Sequence, residues 1–308
     1  MNNLTKGLLG VTALIGAAIG TTWVVTKSTS KQKAKPIKPF FNGVAPYVFA
    51  HRGGMKLAPE HTMAAFKLAN EHNVDGFEVD VRLTKDEQIV VFHDAFVDRT
   101  SNGAGRISNH TLEELRELDF GYHFKDVNGE HPYRGQDDAK IVTLEELLNA
   151  FPEMRINIDM KDDPETYEGS LIPSVLYRLI NKLDAKDRVC VTSFNDAQIE
   201  RFSLYVEDDI ALGAGQSEVS KAFMLYNSGF GHLYIPKANT FQMPVKANGL
   251  SLATEGFIKF LHGLNVATGY YVVNNLDEMD DLIQKGAHTI VTDRPDIAQH
   301  LLTPVSYT

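Results

Sequence analysis

The sequence predicts an α/β fold, a (β/α)8 barrel that follows an N-terminal hydrophobic segment. From Pro39 onward, short apolar runs alternate with helical patterns over about 250 residues, which suits such a barrel. The 308 residues include 43% hydrophobic and 23% charged side chains, which is ordinary for a folded protein with a sizeable core. The single cysteine, Cys190, lies in an apolar run and is predicted to be a buried, unpaired side chain.

Nine apolar runs are strand candidates. In chain order they are Tyr47–Ala50, Gly76–Leu83, Gln88–Phe92, Ile156–Met160, Arg188–Thr192, Asp209–Leu212, His232–Ile235, Val266–Val273 and Thr289–Thr292. A barrel of eight strands leaves at least one of them outside the barrel or wrongly assigned. The segment from Leu83 to Gln88 is too short for a crossover helix, so the second and third candidates depart from a regular barrel.

Eight helical patterns alternate with these runs. They are Met63–His72, Leu144–Phe151, Leu171–Leu183, Asp196–Tyr205, Glu218–Asn227, Glu255–Leu264, Asp277–Lys285 and Asp296–Leu302. Thr62 and Thr143 are candidate N-caps, and Glu146 follows Thr143 at the capping-box spacing. Residues 95–140 are polar and glycine-rich, with one helical piece at Leu112–Leu118, and we expect an inserted loop region over one mouth of the barrel.

Residues 1–38 are predicted to be separate from the barrel domain, residues 39–308. Gly7–Val25 is an uncharged run that, as a helix rising about 1.5 Å per residue, would nearly span a hydrocarbon core of about 30 Å. Two interpretations stay open. The run is either a signal peptide cut near residues 18–20 or an uncleaved anchor, which is slightly favoured because apolar residues continue past that site. Residues 26–38 are expected to be a solvated basic linker able to rest on anionic lipid or polymer.

Charge is distributed unevenly along the chain. The first 38 residues carry six lysines and no acid, whereas the remainder carries 24 basic and 40 acidic residues, a net charge of −16. The strong negative charge of residues 39–308 argues against nucleic acid as a partner and is compatible with a bound cation. Solubility is, however, the commoner reason for a net charge. The lysines that follow the hydrophobic run predict, by the positive-inside rule, that the barrel stays in the cytoplasm.

Four ionisable residues, His51, Glu78, Asp80 and His93, occupy strand positions that would otherwise be apolar. Glu78 and Asp80 share one strand face, and carboxylates that close repel unless a cation or a proton intervenes. Taken singly, each residue is more often structural than catalytic. The cleavage of a phosphate ester could use all of these groups: two histidines, Arg52 and a hard cation bound by oxygen ligands.

Further motifs run in order through the predicted barrel. They are Ala50-His51-Arg52-Gly53, Pro59-Glu60-His61-Thr62, Gly76-Phe77-Glu78-Val79-Asp80-Val81-Arg82, Val90-Val91-Phe92-His93-Asp94, Asp98-Arg99-Thr100, Thr111-Leu112-Glu113-Glu114-Leu115, Thr143-Leu144-Glu145-Glu146-Leu147, Asn157-Ile158-Asp159-Met160-Lys161, Ser193-Phe194, Val272-Val273-Asn274 and Ile290-Val291-Thr292-Asp293-Arg294-Pro295-Asp296. A lone His-Arg-Gly is a weak signal, but the ordered set resembles the glycerophosphodiester phosphodiesterase family. Phosphoinositide-type phospholipases C show a similar His, Glu-x-Asp, His arrangement, which supports the same chemistry and leaves the substrate open.

The resemblance implies a TIM barrel with its active site at the carboxyl ends of the strands. It implies that His51 and His93 are the general acid and base. It implies that Glu60 supports the site, either near the metal or by orienting a histidine. The family usually has asparagine after this glutamate, and here His61 replaces it, which puts in doubt the hydrogen bond made by that amide.

The resemblance also implies that Glu78, Asp80 and Asp159 hold one divalent cation, Ca²⁺ or Mg²⁺. Arg52 and Lys161 would bind the phosphate. The third carboxylate of the family is usually glutamate. Aspartate is one methylene shorter, so we expect the metal to shift or to reach Asp159 through water.

Taken together, the resemblance implies an enzyme that hydrolyses small glycerophosphodiesters to glycerol 3-phosphate and an alcohol in a metal-dependent reaction. No nucleic acid partner is expected. Attack by the vicinal hydroxyl of glycerol and attack by water both fit the residues. The alternative within hydrolases is a lysophospholipase D or a teichoic-acid-like polyglycerol-phosphate hydrolase, which the N-terminal segment supports. The alternative of a different class is an inactive membrane-tethered binding module, against which the intact site residues argue. The resemblance favours a membrane-anchored or secreted protein on the extracellular side, contrary to the charge rule.

Overall fold

Eight parallel strands form a barrel in the computed structural model, which describes residues 21–302. The strands in chain order are β1 (Tyr47–His51), β2 (Gly76–Leu83), β3 (Ile89–Val91), β4 (Arg155–Met160), β5 (Val189–Thr192), β6 (Ala211–Leu212), β7 (Thr240–Pro244), β8 (Lys246–Ala247), β9 (Leu250–Ser251), β10 (Ala267–Tyr271) and β11 (Thr289–Thr292). The sheet runs β6-β5-β4-β2-β1-β11-β10-β7. A parallel bridge between Gly213 and Thr240 joins its two ends, so the predicted (β/α)8 barrel is confirmed.

The ninth strand of the main sheet, β3, lies outside the barrel. It pairs antiparallel with β2, with Val81 opposite Val91. The five residues between these two strands leave room only for a tight connection, which permits antiparallel pairing and no crossover. The expected departure from a regular barrel is therefore present at this pair.

One strand prediction is wrong. His232–Ile235 was predicted as a strand, but Gly231–Leu233 forms a 3-10 helix and the sixth barrel strand is β7, which the sequence did not predict. In the predicted run only Tyr234 is buried, whereas Leu233 and Ile235 are 42% and 60% exposed. Leu233 and Ile235 therefore lie at the surface, and this apolar run is not a strand buried on both faces. The true strand was hidden because it contains a glutamine and a proline.

Nine α-helices accompany the strands in residues 21–302 beyond the N-terminal segment. They are α1 (Met63–Glu71), α2 (Leu112–Arg116), α3 (Leu144–Ala150), α4 (Tyr167–Lys182), α5 (Asp196–Ser203), α6 (Gln216–Asn227), α7 (Glu255–His262), α8 (Leu276–Gln284) and α9 (Pro295–Leu302). The Thr62 side chain accepts a hydrogen bond from the Ala65 N–H, as an N-cap should. Thr143 and Glu146 form the predicted capping box at the start of α3.

The barrel interior changes from apolar to polar along the strands. Tyr47, Phe49 and Cys190 belong to an apolar cluster at the amino-terminal end. Farther along, the Asn157 amide nitrogen lies 3.4 Å from Thr192 Oγ1 and 3.2 Å from Gln242 Oε1, a contact between β4 and β7 across the interior. The polar end of the interior is therefore the carboxyl end of the strands, where the loops can reach a ligand.

The predicted insertion, residues 95–140, has a small core of its own. Val97, Ile107, Leu115 and Phe120 pack there with Val90 of β3. Helix α2 ends at residue 116, two residues before the predicted end. The insertion therefore forms a small lobe that packs against β3.

The N-terminal segment is docked where the structure describes it. Residues 21–28 are helical. Residues 1–20, which contain most of the predicted hydrophobic run and the predicted cleavage region, lie outside the described residues. Within residues 21–302 no helix combines the length and the apolar character needed to cross a membrane.

The basic linker is held against the amino-terminal end of the barrel. Ser30 donates to the His232 carbonyl at 2.6 Å, and Gln32 donates to the Tyr234 carbonyl at 2.7 Å. Lys38 is buried and forms an ion pair with Asp208. These partners precede β6 and β7 in the chain, so the linker is not the freely solvated segment that was expected.

Candidate active site

Strand register brings the three predicted metal-binding carboxylates together. Asp80 of β2 pairs with Asp159 of β4, and Glu78 pairs with His51 of β1 on its other side. Because side chains alternate along a strand, Glu78 and Asp80 lie on the same face of β2. Glu78, Asp80 and Asp159 each offer an oxygen within 4.8 Å of the others.

These carboxylates have unsatisfied oxygens. Glu78 and Asp80 are 7% and 1% exposed, and Glu78 Oε2, Asp80 Oδ2 and Asp159 Oδ1 are buried without a hydrogen-bond partner. Burial, reinforced by the neighbouring Asp80, raises the pKa of Glu78 to about 7. Burial likewise raises the pKa of Asp159. Buried carboxylate oxygens that accept no hydrogen bond are costly, and a hard divalent cation bound among them would satisfy all three.

Two cations lie beside the carboxylates. Lys161 Nζ is 2.6 Å from Asp159 Oδ2 and 3.0 Å from Asp80 Oδ1. Burial disfavours the charged amine, but the two aspartates outweigh it and raise the pKa of Lys161 above its usual range. Arg52 Nε is 3.1 Å from Asp80 Oδ2. The residues predicted to bind phosphate therefore lie at the cluster, as fixed positive charges.

The turn after β1 places His51 and Arg52. Arg52 and Gly53 have positive φ angles of 52° and 82°. A Cβ on Gly53 would lie 2.9 Å from Ala65 Cβ, so the turn approaches α1 too closely for any larger residue. Glycine after His-Arg is therefore a requirement of this turn.

His51 is held by an acid that the sequence did not assign to the site. Its Nδ1 lies 2.6 Å from Asp293 Oδ1, and its Nε2 lies 3.8 Å from Glu78 Oε2. Asn274 donates to Asp293 Oδ2 at 2.7 Å. Burial disfavours the charged imidazole, but Asp293 and then Glu78 outweigh it, so the pKa of His51 is raised. The available signal was the Thr-Asp-Arg-Pro sequence at the end of β11, which places Asp293 directly after the strand.

His93 is held in the same way by its own neighbour. Its Nδ1 lies 2.6 Å from Asp94 Oδ1, and Arg99 Nε donates to Asp94 Oδ2 at 2.6 Å. Burial opposes ionisation of Asp94, but Arg99 and His93 outweigh it and lower its pKa to about 2. Arg82 fixes the backbone, because its Nε donates to the His93 carbonyl at 2.8 Å. Each predicted catalytic imidazole is thus oriented through Nδ1.

Glu60, which the resemblance implied to lie near the metal or to orient a histidine, binds two guanidinium groups. Its Oε1 accepts from Arg52 at 2.9 Å, and its two oxygens accept from Arg99 at 2.7 Å each. Burial opposes its ionisation, but Arg99 leads the groups that lower the pKa of Glu60 to about 2. Glu60 therefore ties Arg52 to the Arg99–Asp94 pair and supports His93 only indirectly.

His61 lies directly behind the carboxylate cluster, a position that the sequence did not predict. It is 2% exposed, and its Nε2 accepts a hydrogen bond from the Asp80 backbone N–H at 3.2 Å. Burial lowers the pKa of His61 to about 3, so the ring is neutral at pH 7. The histidine that replaces the usual asparagine therefore supports the backbone of a carboxylate that points into the cluster.

A cavity of about 640 Å³ opens over the cluster. It is lined by His51, Arg52, Glu78, Asp80, His93, Asp159 and Lys161, and it extends past the ends of β5, β6 and β7. Tyr271 lines the cavity, whereas Tyr270 is buried and donates to the Leu252 carbonyl at 3.1 Å. Of these two neighbouring tyrosines, only Tyr271 reaches the cavity. Glu60 is the one predicted site residue that does not reach the cavity.

Comparison with known proteins agrees with this geometry. Residues 51–297 match the model of the glycerophosphoryl diester phosphodiesterase family. The chain belongs to this family. It is therefore an enzyme, a glycerophosphodiester phosphodiesterase of the phosphoric diester hydrolase class.

Individual relatives cover most of the chain. A glycerophosphodiester phosphodiesterase of Caldanaerobacter subterraneus subsp. tengcongensis is 32% identical over 258 residues, which is 83% of this chain and 97% of the relative. The glycerophosphoryl diester phosphodiesterase domain of a Mycobacterium tuberculosis protein has a TM-score of 0.72 at 20% identity, covering 84% of this chain and 100% of that domain. A phosphodiesterase of Oleispira antarctica, solved with the product sn-glycerol-3-phosphate, has a TM-score of 0.66 at 22% identity, covering 84% and 97%. The two structural likenesses show the fold.

Proposed function

We propose that this protein hydrolyses glycerophosphodiesters to glycerol 3-phosphate and an alcohol, with one divalent cation, Ca²⁺ or Mg²⁺, held by Glu78, Asp80 and Asp159. The observation that carries the proposal is the set of three buried carboxylates that converge beside two oriented imidazoles, each with one oxygen that accepts no hydrogen bond. All-oxygen donors favour a hard cation over zinc. The product found with the Oleispira antarctica phosphodiesterase supports glycerol 3-phosphate as the product here.

The two histidines supply general acid–base catalysis in this proposal. The Nδ1 atoms of His51 and His93 are bound to Asp293 and Asp94, so the Nε2 atoms are left to exchange protons with the substrate. One ring takes the proton of the attacking hydroxyl and the other protonates the leaving alcohol. Each such role is typically worth about 10²–10⁴ in rate.

The cations and carboxylates position the phosphate. Arg52 and Lys161 line the cavity and would contact the non-bridging phosphate oxygens. A divalent cation in the cluster would polarise the phosphoryl group and lower the pKa of an attacking hydroxyl or water. Lys161, held by Asp80 and Asp159, would keep its charge throughout.

The nucleophile is either the neighbouring glycerol hydroxyl, which forms a cyclic phosphate that water then opens, or water itself. A diester of 2-deoxyglycerol separates the two routes. Internal attack requires its kcat to fall by several orders of magnitude, because held proximity removes much of the entropy barrier. A kcat equal to that of the parent diester would establish direct attack by water.

The proposal is tested with the purified full-length chain and glycerophosphodiesters, by measuring glycerol 3-phosphate release. We expect a chelator to abolish release, Ca²⁺ or Mg²⁺ to restore it, and His51→Ala to lower kcat by at least about 10². His123→Ala is the matched control, because His123 is exposed and does not line the cavity. Activity that survives both chelation and His51→Ala would overturn the proposed roles.

We also propose that the first 38 residues attach the protein to a membrane, with the amino-terminal end of the barrel toward the lipid. The docked linker supports this orientation, and Lys27, Lys31 and Lys33 are exposed on it. Anionic lipid would attract these lysines at about 1 kcal/mol each near the surface. The catalytic cavity lies at the opposite end, open to diesters in solution.

Flotation with vesicles tests the attachment. The full-length chain should float with vesicles, and Lys27→Gln, Lys31→Gln and Lys33→Gln together should weaken its recovery on anionic vesicles more than on zwitterionic ones. Recovery entirely in the soluble fraction would refute attachment. N-terminal sequencing of the mature protein from cells decides between an anchor, which keeps Met1, and a signal peptide, which does not.

A further inference from the structure

The cavity has two chemically different halves. One half contains the carboxylate cluster, both histidines and the two cations. The other half lies between the ends of β5, β6 and β7 and the β8–β9 hairpin, and it contains almost no charge. With the phosphate at the first half, as proposed above, the second half is within reach of one of the two alcohol groups of the diester.

Lys246 is the one charged side chain that lines the second half in the described part of the chain. It lies on β8, is exposed, and has no carboxylate partner within ion-pair distance among residues 21–302. The free amine is therefore available to a ligand.

Acids on the neighbouring helices are turned away from this half. Both oxygens of Asp196 accept backbone N–H bonds at the start of α6, from Ser217 and Glu218. Glu218 Oε1 accepts from the Tyr234 hydroxyl at 2.7 Å and from backbone N–H groups beyond it. A cationic headgroup would consequently find no carboxylate here.

The remaining lining mixes apolar surface with neutral hydrogen-bonding groups. Phe194, which is 62% exposed, stands beside the cavity together with Met243. Gln216 and Gln242 contribute amide groups to the same wall. Carbon faces of a polyol can pack on such apolar surface while its hydroxyls bind the amides.

We propose, on the basis of the function proposed above, that the second half is a leaving-group subsite for an anionic polyol. Its hydroxyls are bound by neutral amides and its negative group by Lys246. A second phosphate, as in a glycerol phosphate chain, fits this chemistry, whereas choline and ethanolamine place a positive charge beside a lysine with no compensating acid. Lys246 is thus a specificity-determining residue of this chain.

Three diesters test the proposal with the full-length enzyme and its metal. Glycerophosphocholine has a cationic leaving group, glycerophosphoglycerol a neutral one, and a glycerophosphoglycerol that carries a terminal phosphate an anionic one. We expect kcat/KM to rise in that order, with about tenfold or more between the cationic and anionic substrates, the scale of one charge-assisted hydrogen bond. A short glycerol phosphate oligomer, compared with the single phosphorylated unit, shows whether the source is a polymer or a small metabolite.

Lys246→Gln should reduce the ratio of kcat/KM between the anionic and cationic substrates about tenfold, and salt should reduce it in the wild-type enzyme. Lys221→Gln is the matched control, since Lys221 is an exposed lysine of α6 that does not line the cavity. Faster cleavage of glycerophosphocholine, or a ratio that Lys246→Gln leaves unchanged, would overturn the subsite while the enzyme still hydrolyses diesters. If the enzyme supplied with Ca²⁺ or Mg²⁺ cleaves none of the three substrates, both the subsite and the proposed function are overturned.

Discussion

Glu78 should make the metal-free protein sensitive to pH, and this effect can be measured without any substrate. Its pKa is raised to about 7 from the usual 4.5, first by burial and then by Asp80. Above pH 4.5 the carboxyl therefore ionises in the unfolded chain before it ionises in the folded protein. Stability is lost as pH rises from about 4.5 to about 7, and the loss is complete above the folded pKa.

The size of the effect follows from the shift. Each unit corresponds to about 1.36 kcal/mol, so Glu78 should make the metal-free protein about 2–3 kcal/mol less stable at pH 8 than at pH 5. For a domain of this size that is roughly 5–10 °C in Tm. Glu78→Gln removes the ionisable group, and a divalent cation removes the penalty by pairing with the carboxylate.

Thermal unfolding of chelated wild-type protein and Glu78→Gln at pH 5 and pH 8 measures this difference. The variant should be the more stable of the two at pH 8, should lose much of that advantage at pH 5, and should gain less Tm than wild type from added Ca²⁺ or Mg²⁺. Glu130→Gln, at an exposed position in the insertion, is the control and should track wild type. If Glu78→Gln destabilises the chelated protein at pH 8, or responds to the cations as wild type does, the account of the cluster as a metal site fails.

Two further variants probe the supports of the site. Asp293→Asn should lower kcat by about 10²–10⁴ with little change in KM or Tm, because a neutral amide replaces the carboxylate that binds His51 Nδ1 and stabilises the charged imidazole. Asp296→Asn, three residues on, should have kcat near wild type, and equal kcat for the two variants would refute the positioning role. His61→Ala should lower the free energy of unfolding by about 1–3 kcal/mol in urea titrations, since the Asp80 N–H loses its buried acceptor. His61→Asn should lose less free energy of unfolding, because asparagine offers an oxygen acceptor and tolerates the φ of 59° at this position. An equal loss in both variants would contradict this explanation.

Local sequence predicted the elements whose signals are local. Thr143 and Glu146 predicted the start of α3, because a capping box is formed by residues three apart. The short connection after Leu83 predicted that β2 and β3 could not be consecutive barrel strands. The pattern failed at β7, because its inward glutamine broke the apolar run that marks a buried strand, while the exposed Leu233 and Ile235 imitated one.

Some site residues could likewise be predicted from the local sequence, and others could not. His51, Glu78 and Asp80 were predictable because they are ionisable residues at strand positions, where burial would be costly without a partner. Asp293 belongs to the Thr-Asp-Arg-Pro motif, yet nothing local shows that its carboxylate reaches His51, 242 residues away in the sequence. Glu60 was assigned to the metal or a histidine, and only the folded chain shows both oxygens bound to Arg52 and Arg99.

The sequence by itself predicted the barrel class from its alternation of strand and helix patterns, and it placed Glu78 and Asp80 on one face from the two-residue period of a strand. The proposed roles of Asp159, His51 and His93 came from the resemblance to the family. Tertiary structure alone decided which acid holds each imidazole, where His61 lies, how the basic linker docks, and that the second half of the cavity carries a lone lysine. Those features arise where strands and loops distant in sequence meet at one end of a closed barrel, and no local pattern encodes such meetings.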